Sequence, residues 1–423
     1  MEMRTDEIIV RTQKEWNDIP KEFDGYISIQ DADIIVAEMK GSRVEAKGNA
    51  SVVAWNNVFI IARDHASVEA RNHASVEAWD NASVIACENS SVMAVDNSSV
   101  IARNNSFVET WGNAFIEAKG NAFVVARGNA SVEARDNVSV DAWDNVSVMA
   151  FDKSSVMAVD NSSVIAWGES SVVAWGNAFI EAKGNAFVEA WGNAFIEAQG
   201  NAFVKAWGNA SVEAGDNVSV DAGSGSSVIA WNNVSIVAKG RASIEAWDNV
   251  SVVAWGESSV VARGNVQVVK YSDRTNLEIQ GNARIVTPPD TVQEYCEFYG
   301  IEIKDNQAML YKAVKPDYST FYDSEFKYRI GKTFTNSCDN SRDVQCSFGL
   351  HVSHINWALE FGRSKDIDDF VVLECAVPVD KIIVPKNTDG KIRTSELTVL
   401  REVPLEECRV MGKIILKQRK KSL

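Results

Sequence analysis

Two thiols and two imidazoles, Cys338, Cys346, His351 and His354, fall within 17 residues of one another. Side chains of these types act as nucleophiles, as proton acceptors or as ligands of a soft metal ion. Cys346 and His351 share the string Cys346-Ser-Phe-Gly-Leu-His-Val352, and a thiol becomes a nucleophile when a nearby imidazole or cation holds its thiolate. A turn at Gly349 would bring them together as a Cys-His pair. The alternative is structural, with a buried thiol and a hydrogen-bonded histidine shaping that turn. Taken together, the four residues would make a zinc site, although their spacing matches no common finger. Lys312, Lys391 and Arg393 are the cationic binding candidates in the same part of the chain.

The elements that must position these groups lie after Pro288-Pro289, where the composition changes. Residues 291–423 hold five of the six cysteines and two of the four histidines, and they read as a small α+β domain. A helical pattern covers 291–299 and a short helix 355–362. Strand-like runs cover 308–314, 370–377 and 381–384, with a late strand pair over 391–403. The tail, Lys417 to Lys421, is basic.

Between Gly41 and Ser272 the chain is a repeat, dividing into 29 octads without a slip, as in Asn177-Ala-Phe-Ile-Glu-Ala-Lys-Gly184. Position 4 is always Val or Ile, position 2 is Ala, Val or Ser, and position 6 is Ala except at Thr110 and Lys270. Positions 3, 5 and 7 mix charge and bulk that no core accepts. Such alternation is the strand period, and the Gly-Asn, Asp-Asn or Asn-Asn at positions 8 and 1 suits a tight corner. The expected fold is mainly β: a β-solenoid whose short strands pair with the coils above and below. Small interior residues favour two closely packed sheets over a triangle. Two octads per coil give 16 residues per turn and, at strand spacing, about 14 coils. Residues 1–40 are mixed in character and are expected to cap the first coil, because an open sheet end templates aggregation. Residues 273–290 are read as an end coil and linker.

Eleven of the thirteen tryptophans occupy position 7 and so face outwards, among them Trp167, Trp175, Trp191 and Trp207. Phe179, Phe187, Phe195 and Phe203 recur at position 3. An aromatic surface of this kind either binds a partner or a second copy, or stabilises its own face by stacking. Glu at position 5 with Lys or Arg at position 7, as in Glu69/Arg71 and Glu181/Lys183, reads as a charge-balanced, solvated face. The corner sequence of calcium-binding rolls is absent, and Thr110 is the array's only threonine, so neither calcium binding nor an ice-binding threonine array is expected.

Composition narrows the remaining classes. With 58 acidic against 42 basic side chains, the formal charge is −16, which opposes binding to nucleic acid. No apolar run is long enough to span a membrane, and the charged first residues do not read as a signal peptide. Scattered cysteines fit a reducing compartment. The expectation is a cytoplasmic protein, without a cofactor, whose partner is another protein or a second copy of itself.

Leu310-Tyr-Lys-Ala-Val314, Ile330-Gly-Lys332, the Cys346 to Val352 string, Val371 to Pro385 and Lys391-Ile-Arg393 resemble, in order and spacing, the C-terminal domain of the rIIB proteins of T-even bacteriophages. The resemblance covers about a quarter of the chain, leaves out the octads, and implies a phage or prophage origin and action in the infected bacterial cytoplasm. It supplies no reaction. The order of a strand, Gly349 to Ser353, a helix with Ala358 and Phe361, and a strand ending near Glu374 also resembles the core of ADP-ribosyltransferases, except that Lys312 replaces their first-strand histidine or arginine. The function expected is therefore a non-enzymatic scaffold whose solenoid displays or multimerises a terminal binding domain. The alternatives are an enzyme acting through that domain, and a virion fibre or tail component. Convergence of Lys312, Cys346, His351, Lys391 and Arg393 on one pocket separates the enzyme from the scaffold.

Overall fold

The computed structural model describes residues 7–40, 43–344, 346–364, 370–386 and 388–412; the basic tail lies outside them. The chain divides into two compact units, one of residues 1–268 with 274–284, the other of 269–273 with 285–423.

The first unit is a two-sided β-solenoid with coils of about 16 residues. Positions 3 to 6 of each octad form a strand, as in Phe179–Ala182 and Phe195–Ala198. Each pairs in parallel with the strand 16 residues on: Phe179 opposite Phe195, Ile180 opposite Ile196. Alternate octads therefore fall into two sheets, of 16 and 18 strands among the described residues. Positions 2, 4 and 6 are buried between them, as at Ala194, Ile196 and Ala198. Burial of that thin apolar layer is the main stabilising term, and no single octad could supply it.

Position 8 turns the chain. It has positive φ at Asp136, Asp144, Asp152 and Asp160, and at Gly168, Gly176, Gly184 and Gly192, a conformation that Gly adopts freely and Asp and Asn tolerate. Backbone pairing continues around the corner, where Asn193 N–H donates to Gly176 O at 2.8 Å and Phe195 N–H to Ala178 O at 2.9 Å. At position 1 an asparagine ladder runs along one corner from Asn97 to Asn209, each Nδ2 donating to the Oδ1 one coil below at 3.2–3.5 Å.

Both ends extend the solenoid beyond the octads, which brings it to about 17 coils. Glu7–Val10 pairs with Tyr26–Gln30, and that strand with Arg43–Lys47. Between the first two lies α1 (Gln13–Asp18), N-capped by Thr12, with Trp16 buried in the solenoid core. The N-terminal segment thus caps the array by adding strands to it as well as covering it. Near the other end Asn276–Gln280 pairs with Ser259–Arg263, so the coil outlasts the octad pattern.

The second unit is α+β. Its strands, numbered from its own start, are β1 (Ile303–Lys304), β2 (Gln307–Val314), β3 (Thr333–Thr335), β4 (Leu350–Ser353), β5 (Val371–Pro378), β6 (Ile382–Ile383), β7 (Lys391–Thr394) and β8 (Glu396–Val403). They form one sheet in the order β3-β8-β5-β2-β4-β7-β6, with β1 paired to β2. Helix α2 (Val292–Tyr299) opens with a capping box of Thr291 and Glu294 and closes at Gly300. Its Tyr295 and Tyr299 join Leu310, Leu373 and Leu397 in one core cluster. Helix α3 (Ile355–Arg363) packs Ile355 and Ala358 with Tyr311, Val372 and Val403 in another, together with Cys408 of a helix over 405–412. Strand alternation assigns neighbouring residues such as Val372 and Leu373 to different clusters.

At the corner, a Cβ on Gly192, at φ 79°, would stand 3.0 Å from Gly176 O. Gly192→Val is expected to cost about 1–3 kcal/mol, whereas Asp160→Gly, at φ 58°, should change stability by less than about 1 kcal/mol. Urea midpoints followed by circular dichroism check this, and equal midpoints for the two variants would refute the steric constraint at position 8.

Candidate functional site

The motif string owes its glycine to backbone geometry. Gly349 has φ 138°, and a Cβ there would lie 3.0 Å from Cys338 Sγ. The chain then enters β4, which pairs with β7 so that His351 faces Arg393 and Ser353 faces Lys391. After β4, His354 becomes the N-cap of α3, its Nδ1 accepting from Trp357 N–H at 3.3 Å. That cap and the stacking of His354 on Tyr299, 4.1 Å between centroids, fix the start of the helix that carries Trp357 and Phe361.

These elements enclose a cavity of about 310 Å³. Tyr311, Lys312 and Ala313 of β2 and His351 to Ser353 of β4 line it, as do Trp357 and Phe361 of α3, Phe321 and Tyr322, and Cys346 and Lys391. The aromatic wall is ordered by its own contacts. Trp357 and Phe361 stack at 5.0 Å and 12°, and Phe321 meets Phe361 edge-on at 5.6 Å. A smaller chamber of about 250 Å³ shares Lys312, Thr320, Tyr322 and His351 with the first and adds Asp323 and Asn336.

Four of the five residues named for convergence therefore meet: Lys312, Cys346, His351 and Lys391. Arg393 does not line the cavity. It is fully buried, and its guanidinium donates to Val344 O at 2.6 Å and to Ser341 O, leaving Nε without a partner among the described residues. Its work is to anchor the segment before Cys346, which corrects its reading as a binding residue.

The Cys-His pair is also rearranged. Cys346 and His351 share a wall, yet no hydrogen bond joins them among the described residues; the thiol's partner is Lys391, whose Nζ lies 2.5 Å from Sγ and 5.7 Å above the Trp357 ring. His351 keeps Nε2 buried without a partner among the described residues. Burial first, then the charges of Lys312, Lys391 and Arg393, bring its pKa down to about 4. Lys312 donates to His351 O at 2.7 Å, and burial brings its pKa down to about 8. Neither cavity lysine has a carboxylate within ion-pair distance among the described residues.

The zinc alternative is not assembled. Among the described residues no three His, Cys, Asp or Glu side chains converge as a metal-holding group; His354 is taken up by its cap and Cys338 packs beneath Gly349. Glu374, the acid of the transferase-like reading, hydrogen-bonds Tyr311 Oη at 3.3 Å and Arg401 at 2.7 Å and does not line the cavity.

On the solenoid, Trp175, Trp191 and Trp207 form one stack with 5.5 Å steps, while Trp167 belongs to the other sheet and lies under Lys183. The phenylalanines split likewise, Phe179 on Phe195 and Phe187 on Phe203. The expected Glu-Lys and Glu-Arg pairs form at Glu69/Arg71 and Glu181/Lys183. Sequence reasoning missed Trp357, Phe321 and Tyr322. Trp357 carried a signal, being one of two tryptophans outside position 7.

No family model, curated protein or solved structure matches the chain.

The depressed His351 pKa predicts a pH dependence. A group whose folded pKa lies below its unfolded value contributes fully above the unfolded value, near 6.5, and its contribution is lost as pH falls through about 4. Allowing for solvent screening, the terminal domain should lose about 1–3 kcal/mol through His351 between pH 7 and 4. His351→Gln should remove that part of the slope in urea titrations of the intact chain. An unchanged slope would show that the imidazole does not report on the site.

Proposed function

We propose that the chain is a phage- or prophage-encoded binding protein of the bacterial cytoplasm, in which a rigid two-sided solenoid carries, and through its outward aromatic stacks multimerises, a terminal domain that holds a small ligand. The observation that carries this reading is the meeting of Lys312, Cys346, His351 and Lys391 on one aromatic-walled cavity. Its size lies at the lower end of small-molecule sites, and its make-up, mostly apolar with a few convergent polar groups, is typical of them. The resemblance to the rIIB terminal domain is the ground for the phage origin and the cellular location.

Holding rather than transforming the ligand fits the states of His351, Cys346 and Glu374. A general base works best with a pKa near the working pH, and His351 is poised near 4. The thiol is bonded by Lys391 and not by an imidazole, so Cys346 and His351 do not work as a Cys-His pair. Glu374, occupied by Tyr311 and Arg401, is not available to a reaction in the cavity.

Cys346 offers a direct readout, because it is the one exposed cysteine of the six. Small ring compounds that enter the cavity should slow its alkylation by iodoacetamide in the intact chain by about fivefold or more, unchanged themselves, and Trp357→Ala should abolish the protection. Absence of protection by any ring compound would sink the reading. Conversion of a protecting compound by the purified chain would move the assignment to an enzyme.

A further inference from the structure

The ligand class can be read from what the cavity lacks, given that the cavity is the binding site. Two ammonium groups, Lys312 and Lys391, reach it, and no carboxylate lines it among the described residues. Half-buried cations without a counter-charge are costly, and two of them match the charge of one phosphate better than that of one carboxylate. Asp323 borders only the smaller chamber, so an anion is directed to the larger one. The wall there is aromatic: Trp357 and Phe361 stack on one another, and a planar ring can extend such a stack at an outer face. Lys391 Nζ sits 5.7 Å over the Trp357 ring, which places the anion close to that ring. His351 Nε2 is buried and unsatisfied among the described residues, and such an atom gains when a ligand supplies its partner. The smaller chamber, which shares Lys312 and His351 with the larger one and bears Asp323 and Asn336, has the acceptors and donors that sugar hydroxyls need.

We propose that the cavity binds a nucleoside monophosphate, with its base extending the stack of Trp357 and Phe361, its phosphate between Lys312 and Lys391, and its sugar towards Asp323 and Asn336. The inference rests on the cavity being a ligand site and adds the ligand's chemistry.

The test is equilibrium dialysis of the intact chain against AMP, GMP, CMP and UMP, their nucleosides, inorganic phosphate and neutral indole. At least one monophosphate should bind with Kd below about 100 μM, and its nucleoside about tenfold or more weakly. Lys312→Gln and Lys391→Gln should each weaken the monophosphate by about tenfold while leaving the nucleoside unaffected, with circular dichroism confirming that the variants fold. A nucleoside binding as tightly as its phosphate, or inorganic phosphate binding as tightly as the nucleotide, overturns the proposal. If no nucleotide binds while indole still binds and shields Cys346, the cavity remains a ligand site and the nucleotide assignment alone falls. If neither binds, both fall.

Discussion

A left-handed residue at the eighth position of nearly every octad carries the chain around a corner, and the register of both sheets depends on that bend. Because every corner has the same length, residue n lies on residue n + 16, and a slip by one would turn the Val and Ala interior out to solvent. The constraint is on the corner as a whole rather than on one residue. Where Ser224 stands at position 8, Gly225 takes the positive φ instead, and Ser219 to Ala222 still pair in register with Ser235 to Ala238. The corner absorbs the shift and the ladder is kept.

In-register stacking makes each residue the neighbour of its own kind, which helps some side chains and penalises others. Asparagines gain, since each amide donates to the one below, and tryptophans gain by stacking. Carboxylates lose: Glu181, Glu197 and Glu213 face one another along one sheet, and like charges directly opposite are unfavourable. The cations at position 7 offset this, Lys183 beside Glu181 and Arg135 beside Glu133. Aromatic rings that lean along the axis need room in the next coil. Gly223 provides it, since a Cβ there would lie 2.2 Å from the ring of Trp207.

The solenoid was legible because its physics is local and repeated: alternation shows the buried face, Gly, Asn and Asp show the corner, and alanine limits the sheet separation. The ends were less so, because Glu7–Val10 and Asn276–Gln280 join the ladder through backbone pairing, which needs no octad. In the terminal domain the longer helices and strands could be read from periodicity, but β3 and β4 are too short to show one. The site was half legible. Residue type marked Lys312, Cys346, His351 and Lys391 correctly as neighbours, yet it could not separate a guanidinium that binds a ligand from one that holds backbone carbonyls. Arg393 belongs to the second kind. The aromatic wall escaped notice because Phe321, Tyr322 and Trp357 are brought together by the sheet and α3 and not by spacing.

Arg393 nevertheless shapes the site's electrostatics. Its partners are carbonyl oxygens, which accept from both terminal nitrogens without cancelling its charge. That charge adds to those of Lys312 and Lys391 in keeping His351 neutral, so three cations act on one cavity in a chain whose formal charge is −16. The two scales of charge act on different partners. Up to about the screening length the net negative charge repels a polyanion, while at contact distance the cavity's cations favour an anion small enough to enter. On the proposed reading, a site built this way selects by size as well as by sign. The expectation against nucleic acid and the cationic cavity are therefore compatible consequences of one charge distribution.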